Sequence, residues 1–292
     1  VTPRLVTQPG GWQTVDPKPD AAELKAFYAA EYFQNAHGTY RPDYSETEVA
    51  HRNLLARVML AGITRSRPRG AIDRLLDIGC GEGWLMAAAL AEGYDVQGLD
   101  FSDDGIRRLH PHLAPRARFG DAFEGLDALI EAGHRVDVCT LEHVLEHVLD
   151  PEGLLARLPR LLNPGGVVAI TVPNDFSRLQ NQALATGAID RPFWVAPPQH
   201  LNYFNTETLP PLMQHLGFEV RCAFASFPID WFLLHPGSNY IADPANGKAA
   251  HRARMNLDLM LAEAGMEAYL NLAQALFACG AGRSITVIAG LA

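Results

Sequence analysis

Residues 74–83, Arg-Leu-Leu-Asp-Ile-Gly-Cys-Gly-Glu-Gly, constrain this chain more than any other stretch. An apolar strand over 74–78 runs into a turn with glycine at 79, 81 and 83, and a helix over 84–91 follows. Glycine accepts positive φ and has no side chain, so backbone at such a turn can come very close to a ligand. The helix that opens behind the turn directs free N–H groups at the same spot. Asp77 adds a carboxylate at the end of the strand. The order strand, glycine-rich turn, helix predicts a doubly wound α/β domain with a nucleotide-type pocket. The spacing departs from the dinucleotide fingerprint, because Trp84 stands where its third glycine would be, and no Gly-Lys-Ser/Thr follows as in a Walker loop.

From Arg74 the chain alternates strand and helix, the signature of a parallel sheet. Strands are expected over 74–78, 95–100, 117–119, 136–140, 167–172, 219–224 and 284–289. The second ends in Asp100, placed to accept hydrogen bonds from ribose hydroxyls. The pattern Asp77-x-Gly79-x-Gly81-x-Gly83, followed by Asp100, resembles motif I and its sequel in the class I S-adenosylmethionine-dependent methyltransferases. Glu146-His147-Val148 with Asp150-Pro151, then Leu162-Asn163-Pro164-Gly165-Gly166, is similar to the subgroup that includes the ubiquinone-biosynthesis O-methyltransferases. The resemblance implies a Rossmann-like three-layer α/β sandwich with a seven-stranded, mostly parallel sheet in the order 3-2-1-4-5-7-6, the seventh strand antiparallel. It also implies S-adenosylmethionine as cofactor and S-adenosylhomocysteine as product, held by Asp77, Gly79, Gly81, Asp100, Phe101, Asp121, Ala122, Leu141 and Tyr40. Phe101 would cover the adenine, and Asp121 and Ala122 would read its edge.

Three domains of sequence follow: 1–70 as an N-terminal arm and helical lid, 71–226 with 284–292 as the cofactor-binding core, and 227–283 as a helical insertion. Residues 1–20 are rich in Pro and Gly and read as an irregular arm. A helix capped by Asp20 is expected over 21–34 and another over 46–61, with Arg65, Arg67 and Arg69 in a solvated loop. In the family such helices lie across the cofactor, which would bring Tyr32, Tyr40 and Arg41 to it or to the acceptor; docking of these aromatics onto the sheet is the plainer alternative. The insertion carries Trp231, Asn239 and Tyr240, which could wall an acceptor pocket, and one long helical pattern over 248–279, which could cap the acceptor or make a homodimer face.

Leu141, Val144, Leu145 and Val148 fall at i, i+3, i+4 and i+7, the apolar face of a helix, leaving Glu142, His143, Glu146 and His147 on its other side. Three readings of that polar face stand side by side: a metal site, a general base or acceptor contact, and a solvated face. Some relatives carry two acids and a histidine there; His143 replaces the first acid in this chain, and no metal is assigned. His200, in the segment Gln199-His200-Leu201-Asn202-Tyr203-Phe204 that closes a long insertion after the fifth strand, is the first choice for the base. His143 is the second, and His147 is assigned to the acceptor.

A net charge of −9 and the absence of a polybasic segment argue against broad nucleic-acid binding or an anionic membrane surface. No apolar run reaches the ~20 residues of a spanning helix, and the N-terminus lacks the layout of a signal peptide. Four widely spaced cysteines read as buried small residues in a reducing cytoplasm. Thr140-Leu141-Glu142-His143 stands where base methylases carry Asn/Asp-Pro-Pro-Tyr. The expectation is methyl transfer to a hydroxyl or amine of a small polar metabolite: a sugar, nucleotide-sugar or natural-product intermediate. A nicotinamide oxidoreductase on the same fold and a non-catalytic cofactor-binding partner protein are the alternatives.

Overall fold

The computed structural model describes residues 4–20, 22–24 and 43–292. The expected helix over 21–34 therefore lies almost wholly outside the described residues, as do Tyr32, Tyr40 and Arg41. Among the described residues, ten strands run in chain order: β1 (Arg4–Thr7), β2 (Gln13–Asp16), β3 (Arg74–Ile78), β4 (Asp95–Asp100), β5 (Ala117–Phe119), β6 (Val136–Glu142), β7 (Leu162–Pro173), β8 (Asn202–Tyr203), β9 (Phe218–Ala225) and β10 (Ser284–Leu291). The helices beside them are α1 (Glu46–Ser66), α2 (Trp84–Ala91), α3 (Asp104–Leu109), α4 (Ala122–Glu131), α5 (Pro151–Leu155), α6 (Arg178–Ala185), α7 (Leu209–His215), α8 (Gly247–Ala262) and α9 (Met266–Ala278). No helix among the described residues is long and apolar enough to cross a membrane.

Seven strands form one sheet in the order β5-β4-β3-β6-β7-β10-β9. Those from β5 to β7 are parallel, and β10 runs antiparallel to both neighbours. This is the order expected from the sequence. Leu76 and Ile78 of β3 join the apolar layer with α4, α5 and α7, while Leu75 joins the layer with α1, α2 and α9. A parallel strand buried on both faces needs this two-sided apolar alternation. The strand order reverses at β3 and β6, so the carboxyl ends of those strands open a crevice where ligands of such sheets bind.

Helix α1 begins with a capping box, Ser45 accepting from the Glu48 N–H and Glu48 from that of Ser45. It continues past Ala61, where the sequence suggested a stop, to Ser66, ahead of Pro68. Gly62 explains the extension. A Cβ there would lie 2.6 Å from Cε1 of Phe224 and 3.0 Å from Cδ1 of Ile288, so glycine serves close packing on β9 and β10 and does not end the helix. Arg65, Arg67 and Arg69 are not a solvated loop: Arg65 bonds Asn271 and Gln274 of α9, and Arg67 and Arg69 pair with buried Asp73.

Three other expectations are corrected. The N-terminal segment is ordered, because β1 pairs with β2 and β2 pairs with β8, with Trp12 and Val15 buried. Residues 143–149 are turns and coil, since β6 carries Leu141 and Glu142 as strand and His143 then adopts φ 57°. The long helical pattern over 248–279 is two helices, α8 and α9, divided at Gly265 with φ 98°. Of the cysteines, Cys80, Cys139 and Cys222 are buried and Cys279 is exposed; all four are free thiols.

Replacing Gly62 by alanine sets a helix-propensity gain of about 1 kcal/mol against an overpacking cost of about 1–3 kcal/mol. The expected outcome is a net loss of about 1 kcal/mol, read as a Tm lower by about 2–4 °C in thermal unfolding.

Candidate active site

The glycine turn after β3 has positive φ at Gly79, Gly81 and Gly83 (76°, 52° and 82°). A Cβ on Gly79 would also sit 2.3 Å from Val144, so the loop after β6 closes down on this turn. Two acids flank it. Asp77 is 3% exposed, and its Oδ1 accepts a hydrogen bond from Thr140 Oγ1 at 2.7 Å. Burial raises the Asp77 carboxyl to about 7 against the lowering by Thr140, and the charges of Glu142 and Asp100 add to the rise. Asp100 accepts from the N–H of Gly81 at 2.7 Å and of Ser102 at 3.1 Å, and burial raises it too. A buried carboxylate with one hydroxyl partner is suited to a cationic ligand, which would hold it ionised. Turn and acids thus fit a cofactor that brings a cation to Asp77 and hydroxyls to Asp100.

Phe101 is 42% exposed beside Asp100. Asp121 is the N-cap of α4, accepting from Phe123 and Glu124, which leaves the Ala122 N–H outside that cap. Leu141 is fully buried in the core between its strand neighbours Ile78 and Ile170, so its side chain cannot touch a ligand.

The turn has a partner that the sequence reading missed. Tyr44, just before α1, donates to both oxygens of Glu82 (2.8 and 2.9 Å), and Trp84 Nε1 donates to Glu82 Oε2 at 2.9 Å. An acid within a glycine turn and next to a tryptophan was a visible signal; its partner 38 residues away was not.

A cavity of about 370 Å³ adjoins this junction. Its wall from α1 includes Arg52, Leu55 and Met59; α8 brings His251, Arg254 and Met255; the sheet edge brings Glu142, His143, Thr171 and Ser284. The two helices are joined across it by His51 Nε2 and Asp258 at 2.8 Å, with Tyr269 OH donating to Asp258 at 2.5 Å.

His143 is therefore on the cavity wall, and its backbone N–H donates to Thr171 O. Its Nδ1 lies 2.9 Å from Oε1 of fully buried Glu146. Burial would lower the His143 pKa, but the Glu146 hydrogen bond and charge prevail and hold it above the usual value. Burial would likewise raise Glu146, yet its bond to His143 and the nearby His147 and His200 hold it down at about 2. His147 uses Nδ1 on Gln199 O at 2.6 Å, and its ring lies 5.0 Å from that of His200. His200 is set back from the cavity, its Nδ1 is buried without a hydrogen-bond partner, and burial drives its pKa down to about 4. Glu146, His147 and His200 each present a donor atom within 4.8 Å of the others, the set with metal-ligand spacing among the described residues.

The structure thus brings His143 and Glu142 to the cavity and leaves three expected acceptor contacts away from it. Trp231, in a 3-10 turn over Ile229–Leu234, is 49% exposed and off the cavity wall. Asn239 is spent on the backbone of Ala188, Leu233, Ile241 and Ala242, and Tyr240 donates to Asp230. These two fold the 230–242 segment.

Glu146 has a folded pKa below its unfolded one, so its contribution to stability is present above about pH 4.5 and is lost as pH falls through the folded value. The unfolding free energy in urea is expected to drop between about pH 5 and about pH 2, and Glu146→Gln to flatten that drop. Equal slopes in the two proteins would contradict the assignment.

The family described as methyltransferase domain matches residues 46–223, more than half of the chain. A ubiquinone biosynthesis O-methyltransferase of Cereibacter sphaeroides is 32% identical over 182 residues, 55% of this chain and 65% of that protein. The chain thus spans less than two thirds of the length of that relative. A ubiquinone biosynthesis O-methyltransferase of Ruegeria pomeroyi is 30% identical over 244 residues, 75% of this chain and 89% of that protein. A chain from the Haloferax volcanii complex of the Trm112 methyltransferase activator with a methyltransferase shares the fold, with a TM-score of 0.50 at 14% identity over 92% of this chain and 97% of that one. On the extent of these matches, and on the glycine turn set between Asp77 and Asp100, the chain belongs to the class I S-adenosylmethionine-dependent methyltransferases.

Proposed function

We propose that this protein moves a methyl group from S-adenosylmethionine to a hydroxyl of a small polar acceptor, with His143 as the base. The observation that carries the reading is the position of His143, on the wall of the cavity beside the glycine turn and backed by Glu146. The relatives named as O-methyltransferases support a hydroxyl over an amine.

The cofactor supplies an electrophilic methyl on a sulfonium, so the protein contributes alignment and proton transfer. Asp77 would face the cationic end and Asp100 the ribose hydroxyls, with Gly79 and Gly81 letting backbone pass beneath. Phe101, Asp121 and Ala122 would take the adenine. With Glu146 fixing Nδ1–H, the Nε2 of His143 would accept the proton of the acceptor hydroxyl, whose oxygen takes the methyl as the carbon–sulfur bond of the sulfonium breaks. His147, expected from the sequence as an acceptor contact, lies off the cavity wall, with Nδ1 on Gln199 O and Nε2 3.9 Å from Glu146 Oε1. His200, expected from the sequence as base, would stay neutral and act behind Glu146.

The first test is calorimetric titration with S-adenosylmethionine, S-adenosylhomocysteine and NAD(H). Micromolar binding of the first two without heat from NAD(H) is expected; the reverse would overturn the reading. Near pH 7, cofactor binding should release a proton from Asp77, seen as a dependence of the heat on the buffer's ionisation enthalpy. Asp77→Asn should abolish the release and weaken binding by about 10–100-fold.

Kinetics test the base. Because the His143 pKa lies above its ordinary value, the rate should rise with pH through that value as the imidazole loses its proton. His143→Ala is expected to lower kcat by about 10²–10⁴ and erase that limb, whereas His200→Ala keeps it. EDTA should leave turnover unchanged. A His143→Ala enzyme with the parent's pH profile would sink the assignment.

A further inference from the structure

We infer that the acceptor carries an anionic group, a carboxylate or a phosphate, bound by Arg52 and Arg254 in the cavity that His143 lines. This rests on the cavity being the acceptor's site.

Arg52 of α1 and Arg254 of α8 both stand on the cavity wall. Among the described residues neither forms an ion pair with an acid. The Arg52 guanidinium lies over the Tyr44 ring at 5.6 Å, and Arg254 Nη2 lies 3.0 Å from His251 Nδ1. Arg254 Nε is buried with no hydrogen-bond partner. Burial lowers the Arg254 pKa, Asp258 opposes that, and the charge of Arg52 lowers it further, so the two guanidinia are close enough to repel.

Two acids on the cavity wall, Asp258 and Glu48, have hydrogen-bond partners of their own. Asp258 is taken by His51 and Tyr269. Glu48 accepts from the N–H and hydroxyl of Ser45 at the start of α1. Glu142 acts at the other side of the cavity, on Asp77 and His143. Asp258 is a partial counter-charge to Arg254, but the buried Nε of Arg254 still lacks an acceptor, which an anion in the cavity would supply. A guanidinium fork matches carboxylate or phosphate oxygens in pairs, and partial burial strengthens each bond. The apolar side chains of Leu55, Met59 and Met255 on the same wall would pack the acceptor's body.

The experiment uses the full chain and three hydroxyl compounds that differ at one end: glycerol, glycerate and glycerol 3-phosphate. Inorganic phosphate is a fourth probe, with ionic strength held constant by potassium chloride. Thermal shift and calorimetry are read with and without S-adenosylhomocysteine. Glycerate, glycerol 3-phosphate or both should raise Tm where glycerol does not, and which anion acts separates a carboxylate from a phosphate. Arg52→Gln and Arg254→Gln should each weaken that binding at least about tenfold. Both variants should keep the parent's S-adenosylmethionine affinity, which shows that they are folded.

Equal shifts by glycerol and the anions, no shift by any anion, or anion binding that survives in both variants overturns the proposal. Loss of S-adenosylmethionine binding by the parent protein, with an arginine-dependent anion response intact, would count against the methyl-transfer reading and leave the anion subsite standing.

Discussion

A carboxylate buried at the end of the central strand is the constraint around which the rest of the molecule is arranged. Asp77 has lost nearly all of its water, and Thr140 from the neighbouring strand returns a single hydrogen bond. Burial of a charge that is not fully paired disfavours folding. Asp77 sits where the central strand runs into the glycine turn. The Cα partner of Asp77 on β4 is Gly98, where a Cβ would fall 2.8 Å from both Cys80 Sγ and Met86 Sδ. Three left-handed glycines then turn the chain away without placing a side chain over the acid. Local rules of stability are broken here together, as expected where a site rather than a fold is being specified.

Much of this was legible in the sequence for a physical reason. Strands such as β3, β6 and β7 are covered on both faces, so they appear as apolar runs whose ends are marked by acids, glycines or Asn-Pro-Gly-Gly. The reading failed where two backbones produce the same pattern. Leu141 and Leu145 are both fully buried four residues apart, which imitates one helical face. One reaches the core from a strand and the other from a turn, because His143 between them takes a left-handed conformation that periodicity cannot register. The N-terminal hairpin failed differently. Its strands are four residues long, and its reason for being ordered lies almost two hundred residues away, in β8 and in Thr14 bonding Leu201 O.

That distant hairpin bears on the chemistry. Asn202 of β8 donates to the carbonyls of Leu145 and Val148, and the N–H groups of Leu201 and Asn202 donate to Glu146 O. The loop that carries His143 and His147 is thus fixed from behind by β8, and β8 by β2. The proposed exchange of roles between His143 and His200 rests on this packing. Residue type and proximity to the strand ends made both of them candidates, with His200 placed first. Burial set one ring behind the loop and neutral, whereas Glu146 gave the other an oriented proton and left it at the cavity. Which histidine keeps a carboxylate partner is a property of tertiary packing, and one sequence does not display it.

Helix α1 joins the two halves of the proposed reaction. Immediately before its first turn, Tyr44 is bonded to Glu82 in the glycine turn; one turn in, His51 pairs with Asp258 of α8 and Arg52 lines the cavity. Its capping box and its close seat at Gly62 make these 21 residues a stiff connector rather than a hinge. A shift of the glycine turn on cofactor binding would therefore reach Arg52 through one rigid body and not through a chain of separate loops. Coupling of this kind is reciprocal: whatever free energy cofactor binding adds to the acceptor pocket, the acceptor returns to the cofactor. Cooperative binding of cofactor and acceptor in this protein would then be a consequence of where the helix starts and what it is nailed to, with no moving element needed beyond the helix itself.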